Sequence, residues 1–391
     1  MKKLNSRRSF IKKSALAGIA IPLLGNSLLS CKSDTKTTPQ TENKTDKHLR
    51  ILILGGTSFL GPHQIAYALS RGHSVTTFTR GKTKPSIHAE LFDKVEQLVG
   101  DRENNLKALE NRTWDVVIDN SGRKVAWTKA TAELLKDHVS MYMYTSSTGV
   151  YYPYLTGDIS TETELVLSMP EGLTEDETYE QEYGIMKANS ELEALKAFGK
   201  ERTVVIRPTY MLGPADRTDR FMHWPVRLAK GGEHLIPGKA EDVVQYIDVR
   251  DMAEWFIRLA ENKQYGTYNG VGPQAPQTME QFIKEAAQSF DVESSFVLVD
   301  DYDFLKKHGM LYSIPWVMPD QLHFGSAKVS NEASIAAGLT FRPLKTTVTD
   351  TLKWWNSDKV DSERKTKFNA HLEATLSKEK RMITEWKKQN A

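Results

Sequence analysis

Cysteine is almost missing. The chain of 391 residues has one, Cys31, so no internal disulfide is available to dictate the fold. An excess of one charge is missing too: 52 Lys and Arg stand against 50 Asp and Glu, a formal net charge of +2, which gives no electrostatic footprint for nucleic acid. The apolar stretch from Ala15 to Leu24 is too short to stay in a bilayer as a permanent helix and contains Gly18 and Pro22. No internal repeat is evident. What is there is an ordinary globular composition, 39% hydrophobic and 26% charged, so attachment to a membrane would rest on a lipid alone.

The N-terminus reads as an address. Lys2, Lys3, Arg7, Arg8, Lys12 and Lys13 form a basic region ahead of the apolar stretch, and Ser6-Arg7-Arg8-Ser9-Phe10-Ile11-Lys12 resembles the twin-arginine motif that sends folded proteins out of the cytoplasm. Leu28-Leu29-Ser30-Cys31 resembles a lipobox, with Cys31 as the residue to be lipidated. Residues 1–31 are therefore expected to be an export signal. Residues 32–48 are polar, rich in Thr and Lys and without apolar period, as a disordered tether would be.

Strand and helix patterns then alternate. Ile51–Leu54, Ser74–Phe78, Val116–Ile118, Met141–Tyr144 and Val204–Ile206 are short, nearly continuous apolar runs, as strands buried on both faces should be, with amphipathic stretches between them. This predicts an α/β fold with a doubly wound parallel sheet. From Phe221 to Gly238 the pattern mixes Gly, His, Trp and Pro, and helices are expected at Asp251–Glu261 and Met279–Phe290, which suits a smaller lobe over the strand ends. The expected division is 49–210 for a nucleotide-binding domain, 211–350 for a substrate lobe with returning sheet segments, and 351–391 for a charged helical tail.

Ile51–Leu54 runs into Gly55-Gly56-Thr57-Ser58-Phe59-Leu60-Gly61 and then an amphipathic helix, Pro62 to Arg71. Gly55 permits a sharp turn, the loop amides can approach a pyrophosphate, and Gly61 lets the helix pack closely with its N-terminus aimed at that charge. Gly55, Thr57, Ser58, Phe59, Leu60 and Gly61 are thus candidate dinucleotide-binding residues, although Ser58 replaces the usual middle glycine. The second strand ends in Thr79-Arg80-Gly81-Lys82 instead of an acid, so Arg80 with Lys82 or Lys84 could accept a 2′-phosphate, which favours NADP over NAD modestly. Asp101 could bind the adenine amino group. No metal is expected.

The chemistry is expected from Ser147, Tyr183 and Lys187. Tyr183 and Lys187, four apart on a helix, share one face, so the ammonium can approach the phenol and pull its pKa of about 10 toward the working pH. Tyr183 would then act as acid or base on a hydroxyl or carbonyl, Ser147 would hydrogen-bond the same oxygen, and Lys187 would also hold the nicotinamide ribose. His223, Trp224 and Arg250 are candidate substrate contacts, with core packing of Trp224 and pairing of Arg250 to Asp248 or Asp251 as the structural alternatives.

With these segments in hand, the chain over about residues 49 to 350 resembles an extended short-chain dehydrogenase/reductase of the NAD-dependent epimerase/dehydratase type. Thr145 to Tyr151 resembles the catalytic serine strand, Tyr183 to Lys187 the catalytic helix, Ile206 to Pro214 the proline-containing strand end that would put Pro208 beside the nicotinamide, and Gln245 to Ala253 a late strand-to-helix motif; Asn120, in Asp119 to Gly122, stands where small residues of the family usually line the cofactor. The resemblance implies a Rossmann sheet with a C-terminal substrate lobe. Dehydratases of the family place an Asp-Glu pair after the catalytic hydroxyl residue; here Thr148-Gly149 follows Ser147, which disfavours dehydration. Export narrows the rest. Nicotinamide cofactors stay in the cytoplasm, so a periplasmic or cell-envelope lipoprotein needs chemistry that returns its cofactor unchanged, as an epimerase does. The expected substrate is a free sugar or glycoside. The other expected partners are the export machinery, a lipid anchor and, in a homodimer, a second copy; nucleic acid is not among them. A cofactor-recycling oxidoreductase and a binding protein without turnover are the alternatives.

Overall fold

A computed structural model of the chain describes residues 47–320 and 322–391. The expected export signal, Cys31 and nearly all of the expected tether lie outside the described residues. The first six strands are β1 (Arg50–Leu54), β2 (Ser74–Thr79), β3 (Glu96–Val99), β4 (Trp114–Asp119), β5 (Val139–Thr145) and β6 (Thr203–Pro208). Then come β7 (Met211–Leu212), β8 (Gly232–Pro237), β9 (Val243–Asp248), β10 (Gly266–Gly270), β11 (Gly272–Thr278) and β12 (Ser294–Val299). Seven of them form one sheet in the order β10-β6-β5-β4-β1-β2-β3, every neighbouring pair parallel. The predicted doubly wound sheet is present, and all five predicted strands lie in it.

The helices are α1 (Leu60–Ser70), α2 (Val125–Leu135), α3 (Glu175–Phe198), α4 (His223–Leu228), α5 (Val249–Glu261), α6 (Met279–Ala287), α7 (Tyr302–Lys307), α8 (Glu332–Ala336), α9 (Leu344–Asn356) and α10 (Ser362–Gln389). Side chains alternate across a strand, and β1 uses both faces. Ile51 and Ile53 enter a core with Ile65 of α1 and Met252, Phe256 and Leu259 of α5; Leu52 and Leu54 enter another with Ala132 and Leu135 of α2 and Phe198 of α3. Both layers are needed to cover so apolar a strand. From β1 the order runs to β2 on one side and β4 on the other, so a crevice opens at the carboxyl ends of β1 and β4, where the Gly55 turn and Asn120 lie.

A further core joins Trp224 of α4, Leu235 and Ile236 of β8, Phe282 and Ile283 of α6, and Trp316. The C-terminal helix α10 packs here, with Met382 and Ile383 buried in the same core and Trp386 edge-on to Phe304 at 5.1 Å. Burying each aliphatic side chain stabilises by about 1.5–3 kcal/mol. An ion pair adds direction: Arg227 Nε donates to Glu379 at 2.7 Å, and Glu379 also accepts from the Leu235 amide at 2.9 Å. No helix among the described residues is long and apolar enough to cross a membrane.

Candidate active site

Gly55 and Gly56 both take φ of +104°, a conformation that L side chains rarely adopt, and the Gly55 amide donates to the Phe78 carbonyl at 3.0 Å. A Cβ on Gly61 would overlap the Gly56 backbone. The turn therefore lets the first residues of α1 press onto the end of β1. A cavity of about 380 Å³ opens in front of it, lined by Gly55, Thr57, Ser58, Phe59, Leu60, Arg80, Asp101 and Asn120 among the expected residues. Gly61 backs the turn. Lys187 and Pro208 do not line this cavity; Pro208 is buried at the end of β6, paired in register with Gly270.

The cavity wall is held by polar contacts. Asn120 donates to Gln64 Oε1 at 2.6 Å and accepts from Thr145 Oγ1 at 2.8 Å, tying the end of β4 to α1 and β5. Beneath it lies a pair that the sequence reading missed. Arg102 binds both carboxylate oxygens of fully buried Asp119, and its Nη2 also donates to Thr131 at 2.7 Å. Burial alone would push the Asp119 carboxyl up, but Arg102 and the Tyr142 hydroxyl, which donates at 2.7 Å, hold it below its ordinary value. An acid closing an apolar strand was the available signal.

Ser147 leaves β5 and caps a one-turn 3₁₀ helix, Thr148–Tyr151, its Oγ accepting from the Gly149 amide at 3.0 Å. Helix α3 comes so close to this turn that a Cβ on Gly184 would overlap the Gly149 carbonyl. The consequence falls on the residue before it. A Cβ on Gly149 would lie 3.2 Å from the Tyr183 ring and 3.3 Å from Ser147 Oγ, so serine and tyrosine flank the same glycine. Tyr183 is 41% exposed.

Lys187 does not reach that phenol. Its Nζ donates to the Thr145 carbonyl at 2.9 Å and lies 5.0 Å from the centre of the Tyr144 ring. The expected lowering of the tyrosine is corrected accordingly: partial burial desolvates Tyr183 and raises its pKa, against the opposing Ser147 hydroxyl and the positive charges of Arg123 and Arg220. Lys187 is instead the group brought toward neutrality, pushed down to about 8 mainly by burial, with Asp119 resisting.

A buried network braces this arrangement. Ser146 donates to Glu191 of α3; Arg207 of β6 donates to Glu191 at 2.7 Å and to the Tyr151 hydroxyl at 2.7 Å; Tyr151 in turn donates to Asn269 of β10 at 2.7 Å. Ser146 and Tyr151 bracket the Ser147 turn, so the network fixes both of its ends.

With this geometry in place, comparison with known proteins decides the family. Residues 51–270 match the NAD dependent epimerase/dehydratase family. The chain belongs to it. Among curated proteins it is similar to the chloroplast stem-loop binding protein of 41 kDa b from Arabidopsis thaliana, 29% identical over 230 residues, a match covering 55% of this chain and 56% of that protein. Solved structures share the fold. The Bordetella bronchiseptica enzyme WbmH in complex with NAD+ is 14% identical with a TM-score of 0.57, covering 80% of this chain and 100% of that one. The UDP-N-acetylglucosamine 4-epimerase of Methanobrevibacter ruminantium M1 is 16% identical with a TM-score of 0.57, over 79% and 98% of the two chains. The dTDP-glucose 4,6-dehydratase of Bacillus anthracis in complex with NAD is 15% identical with a TM-score of 0.57, over 80% and 98%.

Three candidate substrate residues of this epimerase/dehydratase-family chain lie outside the cavity lining, each with partners of its own. Trp224 is 2% exposed, a core side chain whose indole donates to the Ile314 carbonyl at 3.0 Å. His223 lies beside it, its pKa pushed down to about 4 by burial and by the positive Arg227, with His371 of α10 also near. Arg250 is held by Asp248 at 2.8 Å and by Asp350. None of the three lines the cavity. Among the described residues no three His, Cys, Asp or Glu side chains are grouped to hold a metal ion.

Proposed function

We propose that this family member is an exported, lipid-anchored sugar epimerase that oxidises and re-reduces a carbohydrate carbon with a captive NAD(P). The observation that carries the reading is the meeting of Ser147 and Tyr183 on either side of Gly149, beside a glycine-walled cavity. That cavity suits a dinucleotide: left-handed glycines bring backbone close to its floor, and Arg80 and Lys82, exposed at its edge, favour a 2′-phosphate. When bound, the nicotinamide supplies the acceptor and donor of the electron pair. Gly55 to Leu60 would hold the phosphates, and Asp101 the adenine. As the phenolate, a form that the positive charges of Arg123 and Arg220 favour, Tyr183 takes the proton from the substrate hydroxyl and returns it; Ser147 Oγ steadies the same oxygen. Lys187 contributes charge from behind, anchored on Thr145.

Export sets the substrate. The relatives of known structure are named for UDP- and dTDP-linked sugars, but outside the cytoplasm such donors are as scarce as free cofactor, so a free sugar or glycoside is the substrate class. Two measurements test the reading. Protein from the envelope fraction, weighed by native mass spectrometry, should retain NADP or NAD. Tyr183→Phe should lose at least about a hundredfold in turnover on a sugar and glycoside panel while keeping the nucleotide; unchanged turnover rejects the mechanism. A second reading, a nucleic-acid binder without turnover, is favoured by the name of the Arabidopsis relative. Salt-sensitive binding of a stem-loop RNA by protein inactive on that panel would select it.

A further inference from the structure

Four cationic side chains lining the cavity, Arg80, Lys82, Arg123 and Arg217, make no hydrogen bond or ion pair among the described residues. Three of them come from the ends of the first strands. Arg217 comes from elsewhere, the loop of residues 213–220 that leads from β7 toward α4. That loop is strained at two points: Ala215 has φ of 73° and Asp219 φ of 57°, a region that costs a non-glycine residue about 1 kcal/mol or more.

Outside contacts hold the strain in place. At one end His63 of α1, the helix of the nucleotide turn, lies 3.1 Å from the Pro214 carbonyl. Within the loop, buried Asp216 accepts from the Thr218 amide at 2.9 Å and the Thr218 hydroxyl at 2.8 Å. At the other end Arg364 of α10 donates to the Asp216 carbonyl and through Nε to Asp219 at 3.1 Å, with its Nη2 on the other Asp219 oxygen. Its guanidinium lies 5.5 Å from the ring centres of both Trp354 and Trp355. An arginine flanked by two indoles and bonded bidentately to a carboxylate is a rigid anchor.

We infer that Arg217 clamps the phosphates of the dinucleotide in the cavity, and that Arg364 is the positioning residue by which the C-terminal helix holds the clamp closed. The inference rests on the reading of the cavity as a dinucleotide site and adds a reason for slow release: the cofactor is gripped from both the sheet and the second core. Calorimetric titration of the full chain, freed of retained nucleotide, with NADP, NAD and inorganic pyrophosphate tests it. Arg217→Gln should weaken the tighter-binding dinucleotide about tenfold to a hundredfold, speed its release by a similar factor, and reduce the salt dependence of binding. Arg364→Gln should weaken it severalfold in the wild-type background and by less than about twofold in the Arg217→Gln background, because a residue acting through Arg217 has nothing left to position. Asp219→Asn, which keeps α10 intact, should behave like Arg364→Gln. Wild-type affinity in Arg217→Gln overturns the clamp; an equal loss from Arg364→Gln in both backgrounds overturns the positioning role. A wild-type chain that binds none of the three ligands overturns the cavity reading itself, and the clamp with it.

Discussion

Lys187 carries an ammonium group into a place where 7% of the residue stays accessible, and its described hydrogen bond goes to the Thr145 carbonyl. Burial is the largest influence on it and lowers its pKa from 10.5 to about 8. At pH 7 the folded chain must still hold that proton, and a displacement of this size, at about 1.4 kcal/mol per pH unit, weakens folding by about 3 kcal/mol. Lys187→Met keeps most of the volume and removes the charge. It also strands the Thr145 carbonyl, a loss of about 1–2 kcal/mol. The balance is a gain of about 1–2 kcal/mol at pH 7, with turnover reduced at least about a hundredfold.

The sign of the pH dependence follows from which state holds the proton. The folded pKa lies below the unfolded one, so the penalty on the wild type is complete below pH of about 8 and fades as pH rises toward 10.5, where both states shed the proton. Urea unfolding of both proteins at pH 7 and pH 10 measures this: the advantage of Lys187→Met should be largest at pH 7 and, because the loss at the Thr145 carbonyl persists, reversed by up to about 1 kcal/mol at pH 10, with equal denaturant slopes. A variant less stable than wild type at pH 7, or an advantage that grows with pH, refutes the reasoning. The result would identify Lys187 as a residue held in place against stability for the sake of chemistry.

Gly184→Ala should push α3 off the Gly149 carbonyl, cut turnover at least about tenfold and lower stability by about 1–3 kcal/mol, while nucleotide affinity in calorimetry stays within about twofold. Glu191→Gln removes the countercharge of Arg207, whose residue is 5% exposed, so urea unfolding should give a loss of about 3–5 kcal/mol; a loss under about 1 kcal/mol would mean that the network is not a brace. Arg80→Ala should raise the Kd for NADP at least about tenfold and leave that for NAD within about twofold; equal effects on both would remove the 2′-phosphate contact.

The legible strands were those buried on both faces, because burial forces continuous apolar runs such as Ile51–Leu54. Glu96–Val99 escaped notice for the opposite reason: it is the edge strand, with Glu96 and Gln97 in solvent and Val99 63% exposed, so it carries no apolar signature. Gly266–Gly270 is read as a strand only through its register with β6. Helical spacing puts Tyr183 and Lys187 on one face, but a four-carbon stem lets the ammonium choose its acceptor, and it bonds the strand-end carbonyl of Thr145. Composition could not separate Trp224 in a core from Trp224 against a sugar, since an aromatic ring serves both and its packing partners come from distant segments.

The buried acids make the general point. Asp119 closes an apolar strand, Glu191 lies on the sheet-facing side of α3, and Glu379 interrupts the narrow apolar stripe of α10; each occupies a position where periodicity asks for a hydrophobic residue. A carboxylate there is tolerated only with a cation beside it, so each announces a partner that the pattern does not name. The partners are Arg102, Arg207 and Arg227, at sequence separations of 17, 16 and 152. An acid out of phase with its own element is a local signal, readable in one dimension. Which arginine answers it is decided by the fold. The first two pairs lie under the cavity wall and the Ser147 turn, and the third docks α10, the helix that brings Arg364 to the loop of Arg217.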